Sequence, residues 1–164
     1  MVKEEYVSFE TAKLLKERGF DGPCHMVWYK TATDKKIVAA PQFVEGEIVA
    51  TRDSVDAAAR DMVYPYSFEN GVEGFLAPTQ AMAMRWLREE HDIVLQIDID
   101  SYVKDIGCLG YYIVVRSMKS NREIISPLDK VFFSTYEEAC DNGLQYCLKD
   151  LIDIWQKTEQ KGWR

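Results

Sequence analysis

Nucleophilic chemistry in this chain has two histidines to draw on, at 25 and 91, and four cysteines, at 24, 108, 140 and 147. A thiolate needs a neighbouring proton acceptor or positive charge. The pairing on offer is Cys108, between Gly107 and Gly110, with His91 as base, although nothing in the local sequence brings the two together. Cys140 and Cys147 are seven residues apart and so fall on one face of a helix, as small apolar core residues. Hard-metal chemistry would draw on Asp98 and Asp100, alternate residues on one strand face, with Glu89, Glu90, His91 and Asp92 just upstream. The same acids also fit the wet side of an amphipathic strand. The cysteine spacings match no CxxC pattern, and there is no Gly-rich phosphate loop, HExxH, GxSxG or EF-hand pattern. No catalytic residue is assigned, and no cofactor or metal is expected.

Binding chemistry has a different source. Tyr64, Tyr66, Phe68 and Phe75 crowd a stretch punctuated by Pro65, Asn70-Gly71 and Gly74. Exposed aromatics give large contact area at low entropic cost, which makes these four the candidate partner-binding residues. The alternative is that they pin a long loop to the core. Charge narrows the partner class: 20 Lys and Arg against 27 Asp and Glu leave a net charge of −7, spread over both halves of the chain. Such a surface repels phosphate backbones, so nucleic-acid binding needs a local basic patch. The basic clusters are small ones, at Lys35-Lys36, at Lys119 with Arg122, and at Lys157, Lys161 and Arg164.

The elements that must position these residues follow from periodicity and caps. Ser8 caps a helix that ends at Gly19, with Phe9, Ala12 and Leu15 on its apolar side. Cys24 to Thr31 and Lys36 to Ala40 form a hairpin, and Asp53 or Ser54 caps a short helix over Val55 to Met62. Thr79 opens a helix over Gln80 to His91 that Asp92 ends. Ile93, Leu95, Ile97 and Ile99 then line the dry face of a strand, with Gln96, Asp98 and Asp100 opposite. Tyr111 to Ser117 is the next strand, Glu123 to Ser126 extends its hairpin, and Val131 to Phe133 is a further short strand. Thr135 with Glu138 is a capping box opening the last helix. Its dry face runs through Tyr136, Cys140, Leu144, Cys147, Leu148, Leu151, Ile152 and Trp155, with Gly143 marking a close approach of backbones.

Ser8 to Phe20, Ala77 to Glu89, and Tyr136 to Cys140 continuing to Leu151-Ile152 together resemble a family of small uncharacterised proteins of gut Bacteroidetes and their phages and prophages. That resemblance implies a setting, a mobile element in a bacterial cytoplasm, and carries no functional residue with it. It also makes residues 31–76 a longer link than in typical members, hence an inserted or variable segment.

Length and an apolar share of 47% predict one α+β domain over residues 1–164: a small antiparallel β-sheet with two or three helices packed on one face. The longest apolar run, Tyr111 to Val115, is too short to span a membrane, and no signal segment opens the chain, so a cytoplasmic protein with reduced cysteines is expected. Residues 79–157 have the element order helix, three strands, helix, as in a double-stranded-RNA-binding domain, but Glu137, Glu138 and Asp141 stand where such a module needs basic residues. The expected function is non-enzymatic binding of a host or phage protein, with a homodimer as a further option. Nucleic-acid binding and a metal- or thiol-dependent enzyme are the alternatives.

Overall fold

The computed structural model describes residues 5–30, 35–39, 43–44, 47–48, 51, 53–55, 73–103, 108–119, 123–124 and 131–153. Helix α1 (Phe9–Glu17) begins where Ser8 Oγ accepts a hydrogen bond from the Thr11 amide at 3.2 Å. It ends in a Schellman turn: Gly19, at φ 92°, donates its amide to the Lys16 carbonyl, and Phe20 donates to the Leu15 carbonyl. Nine residues do not hold a helix in water, so α1 depends on burying Phe9, Thr11, Ala12 and Leu15.

Strands β1 (Met26–Lys30) and β2 (Lys35–Ala39) form the expected hairpin, and β3 (Phe43–Val44) and β4 (Glu47–Ile48) a second, shorter one. The other edge of β1 is taken by β5 (Glu73–Ala77), with Trp28 opposite Phe75 and Tyr29 opposite Gly74, giving the order β2-β1-β5. This corrects the sequence expectation of a loop through Phe75. Gly74 has the sequence signature of a turn, yet it serves close packing: a Cβ there would collide with Val55 Cγ1 and lie 3.1 Å from Tyr29 Cε1. Val55 belongs to a helical turn at residues 53–55 whose cap is Thr51, not Asp53 or Ser54. Thr51 Oγ1 accepts from the Ser54 amide at 3.4 Å and Ser54 Oγ accepts from the Thr51 amide at 3.0 Å, a reciprocal capping box. The rest of that expected helix, residues 56–62, lies outside the described residues.

Successive strand residues face opposite sides. Phe9 of α1 meets Trp28 and Phe75 edge-on, with centroids 6.1 and 5.2 Å away, so α1 covers that side; Val55 covers the Tyr29–Gly74 side. Two of the three strands come from residues 31–76, so the segment expected to be an insertion supplies part of this core.

The remaining elements form a second sheet. Helix α2 (Gln80–His91) turns into β6 (Ile93–Val103) through Asp92, which is left-handed at φ 56°. The Asp92 carbonyl accepts from the Met118 amide at 2.8 Å, and its carboxylate holds Lys119 Nζ at 3.1 Å. Strand β7 (Cys108–Ser117) pairs antiparallel with β6 and with β8 (Glu123–Ile124), in the order β6-β7-β8, and Phe133 adds a single bridge to Tyr111. Helix α3 (Tyr136–Tyr146) is capped by Thr135, whose Oγ1 accepts from the Glu138 amide at 3.1 Å; Glu138 reaches back to the Ser134 amide rather than to that of Thr135. A π-helical turn, Cys147–Leu151, follows and closes with the Ile152 amide on the Cys147 carbonyl, a feature the apolar periodicity does not reveal.

Gly143 marks the tight approach its sequence position predicts. A Cβ there would stand 2.8 Å from Leu95 Cδ1 and 3.4 Å from Ile113 Cδ1, so α3 lies directly on the Leu95–Ile113 face. Helix α2 packs against both β6 and α3. Gln80 Nε2 donates to the Glu137 carbonyl at 3.0 Å, and Cys140 Sγ to Met84 Sδ at 3.7 Å. The chain is therefore α+β, with helices on one face of this second sheet as expected, and it divides into two compact units, Met1–Thr79 and Gln80–Arg164.

Candidate functional site

The backbone alone separates the thiol–imidazole pair. Cys108 stands opposite Val103 at one end of the β6–β7 hairpin, while His91 ends α2 two residues before Ile93, which pairs with Ser117 at the other end. Ten strand residues at about 3.3 Å each put the two roughly 30 Å apart. That pairing is overturned. Burial pushes the Cys24 thiol up to about 12 and the Cys147 thiol to about 12. Cys140 reaches about 11 through burial and the Glu137 and Asp141 carboxylates, against the lowering effect of a hydrogen bond with Tyr136. Thiols held this high carry almost no thiolate at neutral pH and pack as core residues.

The acids do not converge either. Asp98 and Asp100 share a face of β6, opposite Tyr112 and Gly110, and Asp98 Oδ1 accepts from Gln96 Nε2 at 2.9 Å. Asp92 lies six residues back and is held by Lys119, and Glu89 is held by Arg85 at 2.7 Å. Among the described residues no three His, Cys, Asp or Glu side chains are placed to share a metal ion. Two of the basic positions are engaged by acids: Lys35 Nζ sits 3.0 Å from Glu10 and 4.3 Å over the Phe9 ring, and Lys119 pairs with Asp92. Arg122, Lys157, Lys161 and Arg164 lie outside the described residues, as do Tyr64, Tyr66 and Phe68 of the aromatic stretch. Phe75 is buried in β5 under α1, with Lys16 Nζ 5.1 Å over its ring and donating to the Gly74 carbonyl at 3.1 Å. It anchors a core rather than presenting a surface.

A different surface emerges where two expectations fail together. Ile93 and Leu95 are buried as predicted, but Ile99, on the same face, is 55% exposed, and Tyr136, expected on the dry side of α3, is 43% exposed. Both meet Tyr111: Ile99 is its register partner, and the Tyr136 ring stands edge-on to it at 6.2 Å between centroids. The strip lies at the start of α3, whose first residue is Tyr136, away from the Leu95–Ile113 face on which Gly143 packs. Together, Ile99, Tyr111 and Tyr136 offer an apolar and aromatic strip carrying two phenols, which suits protein contact and provides no acid–base pair. No family model matches the chain, and neither a curated protein nor a solved structure matches it.

Proposed function

We propose that this chain is a non-enzymatic interaction protein of a phage or mobile element, binding a host or phage protein in a bacterial cytoplasm. The observation that carries this reading is the exposed strip Ile99–Tyr111–Tyr136 at the uncovered end of the second sheet. Aromatic and aliphatic side chains left in water next to a rigid sheet are what a partner's surface can desolvate. The buried, neutral thiols and the separation of Cys108 from His91 weigh against a thiol enzyme. No helix among the described residues is long and apolar enough to cross a membrane.

The test is capture from a lysate of a bacterial host carrying the phage, with wild type beside Tyr136→Ala and Ile99→Ser. The expected result is a stoichiometric protein that wild type retains and both variants lose, with melting temperatures close to wild type. Retention by both variants would overturn the strip as the contact. Tyr66→Ala with Phe68→Ala then asks the same question of the aromatic stretch.

The second reading, nucleic-acid binding, has one observation in its favour: residues 80–146 realise the order helix, three strands, helix. Against it stand the exposed Glu137 and Glu138 at the start of α3. Its mark in the same experiment is nuclease-sensitive material that falls away steeply as salt rises.

A further inference from the structure

Strand β6 is at the edge of its sheet, and among the described residues β7 is the only strand paired with it. Its ladder is regular over residues 93–100 and breaks only between Asp100 and Val103. A long regular edge presents a row of amides and carbonyls ready for another strand. We propose that this edge pairs with the same edge of a second copy of the chain, antiparallel, about a two-fold axis at Ile97, joining two three-stranded sheets into one of six strands.

The register follows from charge. A two-fold axis perpendicular to the sheet pairs residues equidistant from its centre, on the same face. Centred on Asp98, that carboxylate would face its own copy; centred on Ile99, Asp98 would face Asp100 twice. Centred on Gln96, both Asp98 side chains would face Val94, and Asp100 would come beside Asp92. Centred on Ile97, Gln96 faces Asp98 twice, Leu95 faces Ile99 twice, Val94 faces Asp100 twice, and Ile97 faces itself. Like charges directly opposed across strands destabilise, while amide–carboxylate and aliphatic pairs stabilise. The Ile97 centre alone sets both Asp98 carboxylates against amide donors, and it lays the exposed Ile99 beside the partner's buried Leu95. Like charges thus close the registers about Asp98 and Ile99, and of the two that remain only the one about Ile97 gives Asp98 an amide partner.

This inference does not rest on the heterologous-partner reading, because it is measured on the pure full-length protein. Sedimentation equilibrium over about 1 to 200 μM, the range in which a small interface dissociates, reads the monomer–dimer constant. Gln96 is exposed, so the fold tolerates substitution there. Gln96→Lys places an ammonium opposite each Asp98 and is expected to tighten the dimer about tenfold, whereas Gln96→Glu is expected to weaken it about tenfold. Opposite signs distinguish this register from the one about Gln96, where the lysine would face its own copy and both variants would weaken; the register about Asp98, which shares the signs, is closed by its self-opposed carboxylates. A monomer across the whole range overturns the proposal. So does a dimer whose constant moves in one direction for both variants or ignores them.

Discussion

Cys24, Cys140 and Cys147 are neutral in the folded chain, with thiols pushed from 9.0 up to about 12, 11 and 12. Once unfolded they release protons near their ordinary value, so above about pH 9 the unfolded state binds fewer protons than the native one and stability falls as pH rises. Each thiol contributes a loss of about 1.4 kcal/mol per pH unit from there to its folded value. Thermal melts should therefore be flat from neutral pH to about 8.5 and drop steeply beyond 9, with a shallower drop for Cys147→Ala. An equal slope in that variant would assign the alkaline loss to other groups. Tyr29 is a second buried polar group: its hydroxyl has no hydrogen-bond partner among the described residues, and burial raises the phenol. Removing an unsatisfied buried hydroxyl relieves its desolvation cost. Tyr29→Phe should stabilise by up to about 1 kcal/mol in urea unfolding, and a loss of 1 kcal/mol or more would mean the hydroxyl is satisfied.

Two glycines show how differently one substitution acts where elements meet. At Gly143 a Cβ would press on Leu95 Cδ1, the far end of a flexible side chain, while Ala in place of Gly within α3 gains about 1 kcal/mol of helix propensity. Gly143→Ala should therefore come out near neutral, within about 1 kcal/mol of wild type. At Gly74 the collision is with Val55 Cγ1, on a β-branched side chain that has one stiff χ1, and the Val55 carbonyl oxygen stands 3.3 Å away. Gly74→Ala should cost about 2 kcal/mol or more, measured by the same unfolding curves. The contrast also shows what the sequence could and could not disclose. Helix ends were readable because capping is local: Ser8, Gly19 and Thr135 act on amides and carbonyls within a few residues. Gly143 was readable because a glycine inside a strong helical pattern has few uses besides close packing. Strand β5 was not, because Gly74 answers to Val55 and Tyr29, partners remote in sequence, and Asn70-Gly71 just before it has the sequence signature of a turn. The exposed strip was half readable, since Ile99 and Tyr136 carry the right periodicity but their exposure depends on where the helix lies on the strands.

For the chain as a whole, the division into Met1–Thr79 and Gln80–Arg164 predicts that damage to one core is confined to it. Each unit has its own sheet and buried apolar set: Phe9, Leu15, Val27, Val55 and Phe75 in the first, and Leu87, Ile93, Leu95, Ile113 and Leu144 in the second. Opening free energies vary across a protein in contiguous blocks that follow such packing. Gly74→Ala strikes the first block only. In native-state hydrogen exchange it should accelerate amides of α1, β1 and β5 by about tenfold or more, corresponding to a loss of about 1.4 kcal/mol or more, and leave those of β6, β7 and α3 unchanged. Uniform acceleration in both blocks would mean that the two cores open as one cooperative unit. In that case the variant's melt should stay a single transition displaced to lower temperature, whereas confined damage splits it into an early step and one at the wild-type position.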